Sequence, residues 1–323
     1  MASPLTSVAR PHIWRWAHLS GGLIVLALLV WQVGTGPFLD ALRHIDRWAI
    51  AGALAIGIPT TLCGAWRWRL VAAGLGIRLP LGQALAACYG AQFLNSTLPG
   101  GLAGDVHRAV RHGLDVGDMG LGVRAVALER FAGQAATITI AVIALALFPS
   151  PVKPHMPVLL AGLILCLVVL CLVAAGLMLR KAGREGRSRW RRAVLRVRED
   201  VRGLFTGGAW AGVVVTSSVA LACHLATFVL AARTAGATAP LVLLVPLTLL
   251  ALLAMVLPIN IAGWGLREGT AAWAFAAAGL TAAQGVSTAV TYGVLVTVAS
   301  LPGAGVLIYR WANRELGSGD TRD

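Results

Sequence analysis

Two short stretches of this chain set helix-breaking residues directly against charged ones. The first carries Asn95, then Leu98-Pro99-Gly100-Gly101-Leu102-Ala103-Gly104-Asp105-Val106-His107-Arg108. The second reads Leu257-Pro258-Ile259-Asn260-Ile261-Ala262-Gly263-Trp264-Gly265-Leu266-Arg267-Glu268. Proline and glycine do not continue a regular helix cheaply. If a helix resumes at Leu102 or Ala103, its first amide groups are free and its dipole is positive there. With Arg108 one turn on, such a place suits an anionic group such as a lipid phosphate. Asp105 stands in the first turn, where it can cap the helix and hold Arg108. Arg267 and Glu268 repeat this chemistry in the second stretch. Asn95 and Asn260 flank the two breaks, placed either to line a path or to satisfy loosened backbone.

Arg124, Glu129 and Arg130 open the next apolar helix. Charge at membrane depth is expensive and marks function by default, so Glu129 is expected to pair with Arg108 or Arg267. His224, in mid-span, reads as a hydrogen-bonded structural residue. Other motifs fail on context. Gly120-Leu121-Gly122-Val123-Arg124-Ala125 fits a dinucleotide pattern, but no strand precedes it. There is no P-loop, no HExxH, no GxSxG and no Cys/His spacing for a metal, so neither a cofactor nor a metal is expected.

These residues need elements that can hold broken backbone in an apolar setting. The 323 residues are 58% hydrophobic and only 12% charged, with mean hydropathy +0.78. A soluble domain carries about twice that charge. A helix needs roughly 20 apolar residues to cross hydrocarbon. Runs at 20–36, 49–66, 131–152, 156–179, 207–232 and 282–309 meet or approach that length. They are continuously apolar, which excludes a β-barrel. Segments 81–98 and 241–257 are apolar too and end in Leu-Pro. Trp14, Trp16, Trp48, Trp66, Trp68, Trp210 and Trp311 lie near run ends and read as interface anchors. The five cysteines read as small hydrophobes.

The net charge of +14 does not point to nucleic acid, because ten basic residues crowd into 180–202 beside only Glu185, Glu199 and Asp200. That is the pattern of a cytoplasmic loop, with anionic headgroups as a secondary partner. Residues Arg67, Arg69 and Arg78 are read as a short cytoplasmic loop. If 81–98 then crossed fully, the basic stretch would emerge on the wrong side. Six full spans and two re-entrant hairpins, at 81–98 and 241–257, satisfy every loop. The fold expected is therefore all-α, of about six transmembrane helices plus two broken re-entrant helices. The two stretches also share Leu-Pro-x-x-(Leu/Ile)-Ala-Gly-x-x-x-Arg, 159 residues apart from Leu98 to Leu257. Pro80-Leu81 and Pro240-Leu241 open the preceding helices at nearly the same offset. Paired Pro/Gly interruptions in two inverted halves are the sequence mark of a transporter site.

Asn95-x-x-Leu98-Pro99-Gly100-Gly101-x-x-Gly104-Asp105-x-x-Arg108, Leu128-Glu129-Arg130 and Leu257-Pro258-x-x-x-Ala262-Gly263-x-Gly265-x-Arg267-Glu268 together resemble the lysylphosphatidylglycerol synthase transmembrane family. Its members are flippase-like integral membrane proteins, the best known of them fused to a soluble aminoacyl-transferase domain. The resemblance spans about 15–312 and implies handling of a membrane lipid: a phospholipid, an isoprenoid or a polyprenyl-linked sugar. Lysyl transfer is not expected, because no soluble synthase domain follows Trp311.

The organisation expected is a cytoplasmic N-terminus at 1–18, a membrane domain at 19–312 and a tail at 313–323. Repeat halves fall near 48–148 and 207–310, with the basic loop at 180–205. The first apolar run is read as an uncleaved span, and both termini as cytoplasmic in an inner or plasma membrane. The leading function is a lipid flippase whose headgroup site comprises Asn95, Pro99, Gly100, Gly101, Gly104, Asp105, Arg108, Glu129, Arg130, Asn260, Gly263, Gly265, Arg267 and Glu268, with no catalytic residue. The alternatives are a membrane-embedded transferase using Asp105, Glu129 or Glu268 as base, and a non-catalytic partner of an envelope-synthesis enzyme. Oligomeric state is not legible.

Overall fold

The computed structural model describes residues 43–98, 101–147, 199–203, 208–256 and 265–319, with Trp31, Thr35, Gly36, Leu39 and Leu195 besides. These residues form helices α1 (Arg47–Gly74), α2 (Leu81–Thr97), α3 (Ala103–Val116), α4 (Met119–Leu147), α5 (Ala209–Thr234), α6 (Leu241–Ala254), α7 (Leu266–Ala277), α8 (Ala282–Ser300) and α9 (Pro302–Gly319). Helix α1 starts where the Asp46 carboxylate accepts the Ala49 N–H at 2.8 Å. It passes through Pro59, and the next two residues turn their hydroxyls onto the carbonyls of Ile56 and Gly57.

Four of the expected spans coincide with elements long and apolar enough to cross a membrane: α1, α4, α5 and the run Ala282–Asn313 through α8 and α9. The expected spans at 20–36 and 156–179 lie wholly or almost wholly outside the described residues, as does most of the basic loop. Helix α6, at 14 residues, reaches about 21 Å at 1.5 Å per residue, short of the ~30 Å hydrocarbon core.

The two halves are built alike. Helix α1 ends with the Ile77 N–H donating to the Ala72 carbonyl at 2.9 Å, and α5 with the Ala237 N–H donating to Ala232 at the same distance. Each turn needs a left-handed residue, which Gly76 (φ +78°) and Gly236 (φ +81°) supply. Pro80 and Pro240 then precede α2 and α6. The Asp118 side chain accepts the Leu121 N–H at the start of α4, and the Thr281 side chain accepts the Gln284 N–H at the start of α8. From these anchors Trp68 corresponds to Phe228, and Glu129 to Tyr292.

The halves face opposite ways. A Cβ on Gly52, early in α1, would meet Leu230 late in α5, and one on Gly212, early in α5, would meet Leu70 late in α1. The start of each helix therefore lies beside the end of the other, so the pair runs antiparallel.

Helix α3 is inside out. Its buried face holds Asp105, Arg108 and His112, while Leu102, Val106, Val110 and Leu114 are exposed at four-residue spacing. An ordinary surface helix in water does the reverse. This helix turns hydrocarbon outward and charge inward, the arrangement suited to lipid.

Candidate functional site

Arg67 does not lie in a loop. It belongs to α1, whose C-terminal turn comes only at Gly74. Its Nε donates to Glu129 Oε1 at 2.8 Å, and its Nη1 to Ser217 Oγ of α5 at 3.3 Å. The second Glu129 oxygen accepts from Arg108 Nη2 at 2.7 Å. Glu129 is thus a fully buried carboxylate clamped between two guanidinium groups, and not an interfacial helix end. Its pairing with Arg108 is the expected one. Arg267, the other candidate, goes elsewhere.

Arg108 Nη2 also reaches Asp105 Oδ1 at 3.2 Å, and Arg130 Nη2 reaches the same oxygen at 2.7 Å. The other Asp105 oxygen accepts from Asn95 Nδ2 at 3.1 Å. Asp105 does hold Arg108, but it does not cap α3. The Asn95 side-chain oxygen takes the Gly104 N–H at 2.8 Å, so this early amide is not free for a ligand. Asn95, at the end of α2, satisfies backbone and orients a carboxylate together. Gly104 permits this closeness, since a Cβ there would fall 2.0 Å from the Ala91 carbonyl oxygen.

Trp68 departs from its expected place as an interface anchor. It is buried, with the Arg108 guanidinium 4.7 Å from its ring centre and His112 edge-on at 5.0 Å. Trp48, Trp66, Trp210 and Trp311 are exposed, as interface anchors would be. Cys88 is buried and accepts from Arg108 Nη1 at 3.3 Å, whereas Cys63 and Cys223 are half-buried. Arg124 turns away from the cluster to pair with Asp200 at 3.2 Å.

In the second half Arg267 pairs with its neighbour Glu268, whose other oxygen accepts the Gly265 N–H at 2.6 Å. The Glu268 carboxylate therefore closes the first turn of α7, where Gly265 takes φ +109°. The Arg267 guanidinium lies 5.3 Å from the Tyr292 ring centre. Tyr292 stacks on Phe228 at 4.5 Å and shares a 2.9 Å hydrogen bond with His224 Nδ1. His224 is thus hydrogen-bonded, as expected. Removing that bond alone, as Tyr292→Phe, should lower stability by about 1 kcal/mol while the ring contacts persist. The thermal midpoint of the purified protein reads this directly.

A single cavity of about 500 Å³ joins the two halves, and Arg67, Arg108, Arg130 and Arg267 all line it. Asn95, Gly101, Asp105 and Glu129 line it as well. Of the other described candidates, Gly104, Gly265 and Glu268 do not line it. Pro99, Gly100, Asn260 and Gly263 lie outside the described residues. Sequence reasoning missed Arg67, Trp68 and Tyr292. The Gly74-Leu75-Gly76 stop signal before Pro80 could have placed Arg67 inside a helix.

No curated protein matches the sequence. The family described as lysylphosphatidylglycerol synthase TM region matches residues 15–303, and the chain belongs to this family of multi-pass membrane proteins linked to lipid-headgroup handling.

Proposed function

We propose that the protein moves an anionic phosphate-bearing lipid headgroup between leaflets, the headgroup passing through the central cavity while its acyl chains stay in lipid. The observation that carries this reading is the lining of that cavity, where four guanidinium groups stand against the two carboxylates Asp105 and Glu129. Broken, Gly-rich backbone borders it at Gly101, as irregular backbone at membrane depth must border protein or a watery cavity. The outward apolar face of α3 supports a membrane setting for the charged face behind it. The short helices α2 and α6 fit segments that dip and return, and we adopt that path for both.

A transferase would need a carboxylate placed to take a proton. All six oxygens of Asp105, Glu129 and Glu268 already accept from an arginine, an asparagine or a backbone amide. Transport without chemistry is the better fit. No nucleotide motif accompanies the site, so the movement follows a gradient or runs downhill.

The test is leaflet-resolved. Vesicles of phosphatidylethanolamine and phosphatidylglycerol carry acyl-labelled phosphatidylglycerol, and dithionite quenches the outer leaflet. Arg130→Gln removes the most exposed guanidinium of the cluster, 43% accessible at the side chain, with less than about 1 kcal/mol lost in stability. Translocation should fall at least about tenfold, a loss of ~1.4 kcal/mol in transition-state stabilisation. Arg108→Ala should abolish it. Wild-type rates in both variants would remove these residues from the path.

A further inference from the structure

Apart from the central cavity, a second hollow of about 670 Å³ lies where α1 turns toward α2. Trp66, Arg69, Leu70, Ile77 and Arg78 are among its walls. The α1 positions 66, 69, 70 and 73 line this hollow, and positions 53, 57, 60, 64 and 67 line the central cavity. At about 100° per residue, the two sets point roughly 150° apart. The two spaces are therefore on opposite sides of α1. Arg69 is held from two directions. Its Nε donates to the Leu79 carbonyl at 2.9 Å, and its guanidinium lies 5.0 Å from the Trp66 ring centre. The Nη groups of a guanidinium fixed in this way remain donors. Arg78, in the turn itself, is exposed.

The turn does not by itself require these residues. The matching turn after α5 has the same closing hydrogen bond and the same left-handed glycine. Yet it carries Ala226, Val229 and Thr238 where the first has Trp66, Arg69 and Arg78. The difference is chemical, and it marks one end of the inverted pair. Earlier in α1, Leu54, Ile58 and Leu62 are exposed at four-residue spacing, a ridge that leads to Trp66 on the same face. The rise from Ile58 to Arg69 is about 16 Å, half of the ~30 Å hydrocarbon core and so the depth of one leaflet. An apolar ridge, an indole at the boundary and two guanidinium groups beyond it match the parts of a phospholipid in order. Its chains lie on the ridge, its glycerol at the indole and its phosphate at the arginines. Two positive charges favour a lipid of net negative charge over a zwitterionic one.

We infer that this groove binds an anionic phospholipid of the surrounding membrane, its phosphate between Arg69 and Arg78, at a site separate from the cavity proposed for transport. The inference does not depend on the transport reading. A phosphate bridging Arg69 in α1 and Arg78 in the turn ties the end of α1 to the entry of α2. Arg67 and Trp68 of the central cluster stand immediately before Arg69, so the bound lipid steadies the segment that positions them.

The experiment uses the purified full chain in nonionic detergent micelles, titrated with phosphatidylglycerol or phosphatidylcholine, and reads the thermal midpoint. A ligand that binds only the folded state raises that midpoint as its concentration grows. Phosphatidylglycerol should raise it further than phosphatidylcholine at equal mole fraction. In Arg78→Gln the mole fraction giving half the maximal rise should increase about fivefold, the weight of one arginine near a membrane surface. The same increase should appear when Arg78→Gln is combined with Arg130→Gln of the central cavity, because separate sites add. Equal half-maxima in wild type and Arg78→Gln overturn the groove and place any lipid effect elsewhere. A wild-type midpoint that responds alike to both lipids also overturns it, the result expected if another segment of the chain fills the groove. An equal rise with glycerol phosphate, which has no acyl chains, overturns the lipid assignment. None of these outcomes measures translocation, so failure here leaves the transport reading untouched.

Discussion

Glu129→Ala should be the most damaging single substitution in this protein. The change leaves Arg67 with a long bond to Ser217 at 3.3 Å, and leaves Arg108 with its 3.2 Å contact to Asp105 as its one ion pair, beside the Cys88 sulfur and the Trp68 ring. Arg67, Arg108 and Arg130 would then stand around the single carboxylate of Asp105, with Arg67 and Arg108 themselves largely buried. Breaking a buried ion pair from one side costs about 3–5 kcal/mol, a large part of the 5–15 kcal/mol that typically holds a domain folded. The expected result is a detergent-solubilised protein whose thermal midpoint collapses, with little monodisperse material surviving modest heating. Glu129→Gln, which keeps the shape and one acceptor, should fall between the two. The double variant Arg108→Ala/Glu129→Ala should be more stable than the sum of its parts implies by about 1 kcal/mol or more. A Glu129→Ala protein within about 1 kcal/mol of wild type would mean that water in the cavity screens this carboxylate as it would a surface ion pair.

Gly104→Ala is expected to come second, for a steric reason. The added methyl would lie 2.0 Å from the Ala91 oxygen and 2.6 Å from its carbonyl carbon, and these are backbone atoms of α2 that cannot rotate aside. Helix α3 must move away, breaking the Gly104 N–H bond to Asn95 and with it the Asn95 contact that orients Asp105. Overpacking of this kind costs about 1–3 kcal/mol, and a lost buried hydrogen bond adds about 1 kcal/mol. Gly82→Ala in α2 is the control, since nothing lies within 4 Å of its Cβ position. It should be neutral or stabilising by up to about 1 kcal/mol. Equal behaviour of the two variants would contradict the close α2–α3 approach.

The local features were legible in the sequence. Leu-Pro breaks, apolar runs and the recurring Ala-Gly-x-x-x-Arg are properties of neighbouring residues, and a Pro-Gly interruption acts where it stands. The pairing of Glu129 with Arg108 was also within reach, because a buried carboxylate needs a cation and few are available. The role of Arg67 was hidden for a nonlocal reason. Its partner is 62 positions away, and ending the apolar run at Trp66 made the arginine look like the first loop residue. Burial of Trp68 follows from that same misplacement by one turn. Asn95 was ambiguous because its amide can serve a ligand or a helix start equally well, and only the approach of α2 to α3 decides between them.

The matched positions of Glu129 and Tyr292 bear on how the molecule would work if its antiparallel halves traded conformations. Inverted repeats give two arrangements of similar shape that open to opposite sides. Here one repeat carries an ionised side chain where its counterpart carries a phenol. The exchange would not be between equals, and the free-energy gap between the two arrangements would fix their relative occupancy. Were the proposed transport to proceed by such an exchange, the unlike charge of two alike contours would set a preferred resting side before any cargo arrived.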